Sequence, residues 1–152
     1  MDMIDYEFPG SFLFYVRLIK RLYERSLAEA GGRCGLSLPE ADVLSFLREN
    51  PGFDTARDAA MYREVSRAYV SKAVEALAER GYIEIRQDKT DRRLQRLTIT
   101  DKAKKASEIL HEAQHAFYDR VTAGLTAEEL LGMLSAIEKC AGNLVAESGN
   151  RI

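Results

Sequence analysis

Between Ser66 and Ile99 the sequence changes its period, and that change limits the folds open to it. Val70, Val74 and Leu77 fall at i, i+4 and i+7 behind Ser66, a good N-cap. Gly81 then supplies the left-handed position that commonly follows a helix and that a residue with a Cβ resists. Directly afterwards Ile83-Glu84-Ile85-Arg86-Gln87-Asp88 alternates as a half-buried strand does, and Leu97-Thr98-Ile99 can pair back against it. Lys89-Thr90-Asp91-Arg92-Arg93 must then be an exposed tip. A capped helix over about 66–80 displaying Arg67, Tyr69, Ser71 and Lys72, followed by a cationic finger over about 83–99, suits a device that grips duplex DNA in two places.

Charge supports that reading only when taken locally. The chain of 152 residues has a net charge of −2, yet residues 63 to 105 hold 12 Lys/Arg against 7 Asp/Glu and the remainder 10 against 17. Local charge decides where a phosphate backbone docks. The length suits one core with an extension rather than two ordinary domains. The longest uninterrupted apolar run, around Phe12 to Val16, is too short to span a membrane or to serve as a secretory signal, so a cytoplasmic protein without membrane association is expected.

Start and stop signals divide the rest into helices. From Ser11 to about Ala30, Phe12, Tyr15, Val16, Leu18, Ile19, Leu22, Tyr23 and Leu27 cover roughly 180° of a helix, against the ~100° one core face needs, which predicts burial on two sides. Gly31-Gly32 is expected to break it. Ser37-Leu38-Pro39-Glu40 opens a second helix as a capping box, and Asn50-Pro51-Gly52 ends it. Thr55 with Asp58 caps a short third helix, whose N-terminus is a place for a phosphate. Beyond Asp101, Ala103, Ala106, Leu110, Ala113, Phe117 and Val121 form one stripe. Thr126 to Glu129 caps a last helix with Leu130, Leu134, Ile137, Ala141 and Leu144 on one face. The sum is a mainly α chain with a small β-hairpin.

In this setting Ser66-Arg67-Ala68-Tyr69-Val70-Ser71-Lys72-Ala73-Val74, Gly81-Tyr82-Ile83, Asp91-Arg92-Arg93 and Leu97-Thr98 resemble the winged helix-turn-helix core of the MarR family of bacterial transcription regulators. The specific matches run from about Ser37 to Asp101, and the order of elements matches over nearly the whole chain. The resemblance implies a single domain over 1–152, with a DNA-binding core at 37–100 and dimerisation helices at 11–30 and 101–147. It implies a homodimer on a near-palindromic site, each fourth helix in the major groove and each wing in the minor groove. Carried over by position, Thr55, Ser66, Arg67, Tyr69, Ser71, Lys72, Asp91, Arg92 and Arg93 would meet DNA, with Arg93 the minor-groove arginine and Asp91 the carboxylate that orients it. Arg63, Glu64 and Ala59 depart from the family pattern, which makes the turn into the fourth helix a rebuilt one, with Met61 or Tyr62 filling the gap.

The main chemical rival is His111-Glu112-Ala113-Gln114-His115, a literal H-E-x-x-H, the helix motif of zinc proteases. The pair His111 and His115 points away from the apolar stripe and has no further histidine to complete a catalytic zinc, so a zinc hydrolase is disfavoured and a metal-responsive regulator is the alternative. Cys34 and Cys140 are too few for a disulfide framework; Cys34 beside Arg33 is a candidate oxidant sensor, and packing is the simpler role for both. The family also implies a small amphipathic or phenolic effector, with Tyr15, Tyr23, Phe46 and Phe117 as candidate lining. No enzymatic activity and no cofactor are expected.

Overall fold

The computed structural model describes residues 10–148, with side chains to residue 144; the ends of the expected 1–152 domain lie outside the described residues. Six helices and one hairpin follow in the order α1 Phe12–Arg33, α2 Leu38–Glu49, α3 Ala56–Arg63, α4 Arg67–Glu79, β1 Ile83–Gln87, β2 Gln95–Ile99, a 3-10 turn Asp101–Ala103, α5 Lys104–Val121 and α6 Ala127–Ser148. β1 and β2 are antiparallel in the register Ile83 to Ile99 and Gln87 to Gln95. The mainly α architecture with a hairpin wing is therefore present as the sequence predicts.

Caps place the starts. Ser37 and Thr55 each open a helix with a complete capping box, through Glu40 and Asp58, and Ser66 Oγ accepts from Tyr69 N at 3.1 Å. Thr126 opens α6 likewise, its Oγ1 accepting from Glu129 N at 3.2 Å. The ends of α1, α3 and α4 share one closure, in which a left-handed residue turns the chain and the next N–H reaches back five residues. Gly35 (φ 67) passes Leu36 N to Gly31 O at 2.9 Å, and Gly81 (φ 69) passes Tyr82 N to Leu77 O at 2.8 Å. Glu64 (φ 52) does the same between α3 and α4, with Val65 N on Ala60 O at 3.1 Å.

Gly31 and Gly32 do not break α1, contrary to the sequence reading; the helix continues to Arg33 and ends before Gly35. A Cβ on Gly31 would stand 3.0 Å from Ala41 Cβ and 3.2 Å from Leu36 O, so the glycine serves a close α1–α2 crossing. Helical packing requires its lack of a side chain, which outweighs its poor propensity.

The core gathers around α2, where Ala41, Val43, Leu44 and Phe46 are all buried, together with Leu27 of α1, Val70, Ala73, Val74 and Leu77 of α4, and Leu110 of α5. In α5 the buried row runs Ala106, Ser107, Leu110, Gln114 and Phe117, so Gln114 takes a place in the stripe, donating Nε2 to Tyr23 Oη at 2.6 Å, and Val121 is exposed. The two-sided face of α1 is covered only toward its C-terminal end: Leu27 and Ala30 are buried, while Phe12, Leu13, Phe14, Val16, Ile19 and Leu22 are exposed. From Ala127 to Leu144 of α6 only Leu130 is even half-buried.

Glu64 holds the left-handed conformation with a Cβ, which costs roughly 1–2 kcal/mol relative to a right-handed residue, against a smaller entropic penalty for glycine. Glu64→Gly is expected to raise the stability of the chain by about 0.5–1 kcal/mol, read as an upward shift of the denaturant midpoint at unchanged m-value.

Candidate nucleic-acid interface

The outward side of α4 is set by its seam. Val70, Ala73, Val74 and Leu77 are buried, which turns Arg67, Ala68, Ser71, Lys72 and Glu75 to the exposed side. Arg67 and Lys72 have no ion pair among the described residues, so their full charge is offered outward. Ser66 is exposed but its hydroxyl already accepts the Tyr69 amide. Tyr69 itself departs from the sequence reading. It is half-buried, packs against the core and faces the interior with Asp42 and Arg63 rather than standing with Arg67 and Lys72. Its position in the first turn puts it on the border between the seam and the outer face, and the seam takes it.

Thr55 is another displaced expectation. It is buried, and its hydroxyl donates to Asp58 Oδ2 at 2.7 Å while accepting from Asp58 N at 3.1 Å. The side chain is spent on starting α3.

The wing tip is built from backbone bonds to two carboxylates. Asp88 Oδ1 accepts from Thr90 N, Asp91 N and the Thr90 hydroxyl at 2.7 to 2.8 Å. Asp91 Oδ1 accepts from the backbone N of Arg93 at 3.0 Å, so the contact it makes is to the main chain of Arg93 rather than to its guanidinium. Gln87 Nε2 closes the loop on Arg92 O at 2.7 Å. Arg92 and Arg93 are exposed, and among the described residues neither guanidinium has a hydrogen bond or ion pair. Such unpaired guanidinium groups on an ordered turn are suited to a narrow, strongly negative groove.

A network the sequence reading missed holds this tip to the body. Arg96 donates Nε to Asp88 Oδ2 at 2.8 Å and its terminal nitrogen to Asp54 Oδ1 at 2.6 Å, while Leu97 N donates to Asp54 O at 2.7 Å. One arginine thus spans the wing turn and the loop ahead of α3. Hydrogen bonds from the Asp91 and Thr90 groups and from Arg96 hold the Asp88 carboxyl well below the ordinary carboxylate range. Bonds to Asp54 and Asp88 likewise raise the pKa of Arg96. The signal available in sequence was only an Asp and an Arg eight residues apart on a hairpin; the 42-residue link to Asp54 has no local pattern.

The rebuilt turn between α3 and α4 is held by Arg63, which lies 3.2 Å from Asp42 and 3.5 Å from Glu49 and stands over the Phe46 ring. Burial works against its charge, but Asp42, Tyr23 and Glu49 outweigh that and raise its pKa. Met61 and Tyr62 are equally exposed, but the Tyr62 ring packs on Phe46 and Phe53, so the tyrosine is the residue that fills the gap.

His111 and His115 do come together, with ring centroids 4.3 Å apart and edge to face. Among the described residues no third His, Cys, Asp or Glu gathers with them, which leaves a single chain one ligand short of a catalytic zinc. Cys34 is half-buried and Cys140 exposed, and both are free thiols. No described helix is long and apolar enough to cross a membrane. Of the four aromatic side chains expected around an effector, Tyr23 lines the cavity between α1, α2, α3 and α4, Phe117 lines another between α1 and α5, Phe46 is buried, and Tyr15 is exposed.

Comparison with known proteins agrees with this geometry. Residues 35–94, which span α2 through the wing tip, match the MarR family. The HTH-type transcriptional regulator BilQ of Clostridium symbiosum is similar at 26% identity over 129 residues, 85% of this chain and 89% of that protein. Among solved structures, a MarR protein from Peptoclostridium difficile superposes with a TM-score of 0.76 at 24% identity, covering 97% of this chain and 95% of the other. A MarR family regulator from Listeria monocytogenes, complexed with a 26mer DNA, superposes at 0.79 with 19% identity over 95% of this chain and 99% of the other. Proteins of this family are transcription regulators rather than enzymes.

Two outcomes follow from the wing network. Arg96→Ala is expected to speed amide exchange at Thr90 and Asp91 while leaving the α4 amides unchanged. Because the Asp88 pKa is depressed on folding, its contribution is complete above an unfolded value of about 3.9 and is lost only as pH falls through the lower folded value. The Thr90 and Asp91 amide shifts in NMR spectra should therefore hold steady from pH 7 to about 4 and move only in stronger acid.

Proposed function

We propose that this chain, whose core belongs to the MarR family of winged-helix transcription regulators, acts as a cytoplasmic homodimer on a near-palindromic DNA operator, with α4 in the major groove and the wing in the minor groove. The observation that carries the reading is the set of unpaired, exposed cations: Arg67 and Lys72 on α4 and Arg92 and Arg93 on an ordered tip. Arg67, Lys72, Ser66 and Ser71 serve the major groove, Arg92 and Arg93 the minor groove. Asp91 and Thr55 act behind them, one holding the Arg93 backbone and the other starting α3.

Residues 37–100 form the DNA-binding core of this single domain, with 11–30 and 101–147 as its dimerisation helices. The apolar side chains left open on α1 and α6, among them Phe14, Ile19, Leu134 and Ile137, are too many and too contiguous along two helices for a lone soluble chain. A two-fold pairing of two copies covers the same patch on both. The cavity between α1, α2, α3 and α4 is the place for a small effector, since its wall includes Tyr69 in the first turn of the recognition helix.

Sedimentation should give twice the 17.1 kDa chain mass, and Leu134→Glu with Ile137→Glu should return it to one. The DNA reading is tested by duplex affinity against salt concentration. A steep fall in affinity with salt, whose slope shrinks by about 1 in Arg93→Ala, is expected. Retention of no duplex DNA even at low salt would exclude the proposal.

A further inference from the structure

The cavity beside the recognition helix has a volume of about 620 Å³, within the usual range for small-molecule sites. Leu27, Leu38 and Val65 make its apolar part, and Tyr23, Tyr62 and Tyr69 bring three aromatic rings to its wall. Its charged lining is Lys20, Glu24, Asp42, Arg63 and Glu64. Three carboxylates thus face two cations, and one of those cations is engaged elsewhere as well. Arg63 is already shared between Asp42 at 3.2 Å and Glu49 at 3.5 Å. Glu24 and Glu64 have no ion pair among the described residues, so Lys20 alone stands against them.

The sign of the field shows at Tyr69. Asp42 is raised chiefly by its burial, against the Arg63 ion pair that favours its carboxylate, so its shift reports enclosure rather than the field. At Tyr69 burial again comes first, followed by Asp42 and Glu24, both of which exceed the opposing pull of Arg63. An added anion would meet the same excess of negative charge. An added cation would relieve it, and the tyrosine faces would hold its charged head while the leucines and Val65 took its apolar body.

We infer that this cavity takes an organic cation, an ammonium group carried on an apolar or aromatic body, with Glu24 and Asp42 as its countercharges and Tyr23 and Tyr69 as its aromatic walls. The inference rests on the effector role proposed for the cavity and names the chemical class that fills it. Tyr69 also supplies the amide that Ser66 caps, at 3.1 Å, so an occupant pressing on this ring acts on the first turn of α4. Asp42 holds the α3–α4 turn through Arg63, and a cation that competes for that carboxylate loosens the turn from the other side.

The test uses the full chain and three small probes of similar size: phenyltrimethylammonium, its neutral isostere tert-butylbenzene, and benzoate. Binding is read directly, by tyrosine fluorescence and calorimetry, without DNA. Phenyltrimethylammonium is expected to bind about tenfold more tightly than either of the others, which is ~1.4 kcal/mol and within the range of a desolvated cation on aromatic rings. Glu24→Gln, at an exposed position that leaves the core untouched, should weaken the cation several-fold and leave tert-butylbenzene unchanged; Asp42→Asn should do the same wherever it folds. Equal or tighter binding of benzoate or of the neutral isostere would overturn the inference, as would cation binding indifferent to Glu24→Gln. Operator affinity is measured in parallel. A cation that binds without changing it removes the effector role and leaves the chemical class standing, whereas a chain that ignores DNA removes the regulator reading by itself.

Discussion

The enclosure of α2 is the constraint on which the rest of the molecule depends. Glu40, Ala41, Val43, Leu44, Ser45 and Phe46 are all buried, so this helix is covered around its circumference by α1, α4, α5 and the hairpin. A helix surrounded in this way can keep a carboxylate only if its charge is paired. Glu40 meets that demand with Oε2 accepting from the Ser37 amide and hydroxyl at 2.8 and 2.6 Å, and with Oε1 in an ion pair with Arg80 at 3.1 Å, although Oε1 accepts no hydrogen bond among the described residues. Arg80 follows the last turn of α4, so the glutamate of the α2 capping box also ties down the far end of α4.

Arginine plays the same part at each joint around that centre. Arg48 reaches from α2 to Ser107 and Glu108 of α5, Arg63 ties the α3–α4 turn to Asp42 and Glu49, and Arg96 ties the wing to Asp54. Planar, multiply donating guanidinium groups suit joints where one side chain must meet two acceptors at once. These bonds also revise the meaning of the charge window. Arg63, Arg80, Arg86 and Arg96 are engaged with carboxylates, so among the described residues the free cations of the 63–105 window are fewer than its composition suggests: Arg67 and Lys72 on the outer face of α4, Lys89, Arg92 and Arg93 at the wing tip, and Lys102, Lys104 and Lys105 around the start of α5.

Much of the fold was legible because its signals are short in range. Capping boxes at Ser37 and Thr55, the Ser66 cap, the Gly81 turn and the alternation through Ile83 and Ile85 involve residues within five positions of each other, and all appear where the sequence places them. The site was legible in part. Arg67, Lys72, Arg92 and Arg93 are exposed as expected, whereas Tyr69 and Thr55 are turned to structural use and Asp91 holds a backbone amide rather than a guanidinium. Gly31 shows why a residue type can mislead: its local cost in a helix was visible, and the Ala41 side chain that needs its bare backbone was not.

The sequence by itself determined where helices begin, where the chain switches to a hairpin, and that positive charge collects in that switch, because these follow from neighbouring residues and the period of apolar positions. Tertiary structure alone decided which cations remain unpaired, which aromatic ring lines the cavity, and how the wing is held. Asp54 and Arg96 are 42 residues apart, and Tyr23 and Gln114 are 91 apart. No pattern along a chain records such a contact before the enclosure of α2 has brought its neighbours together.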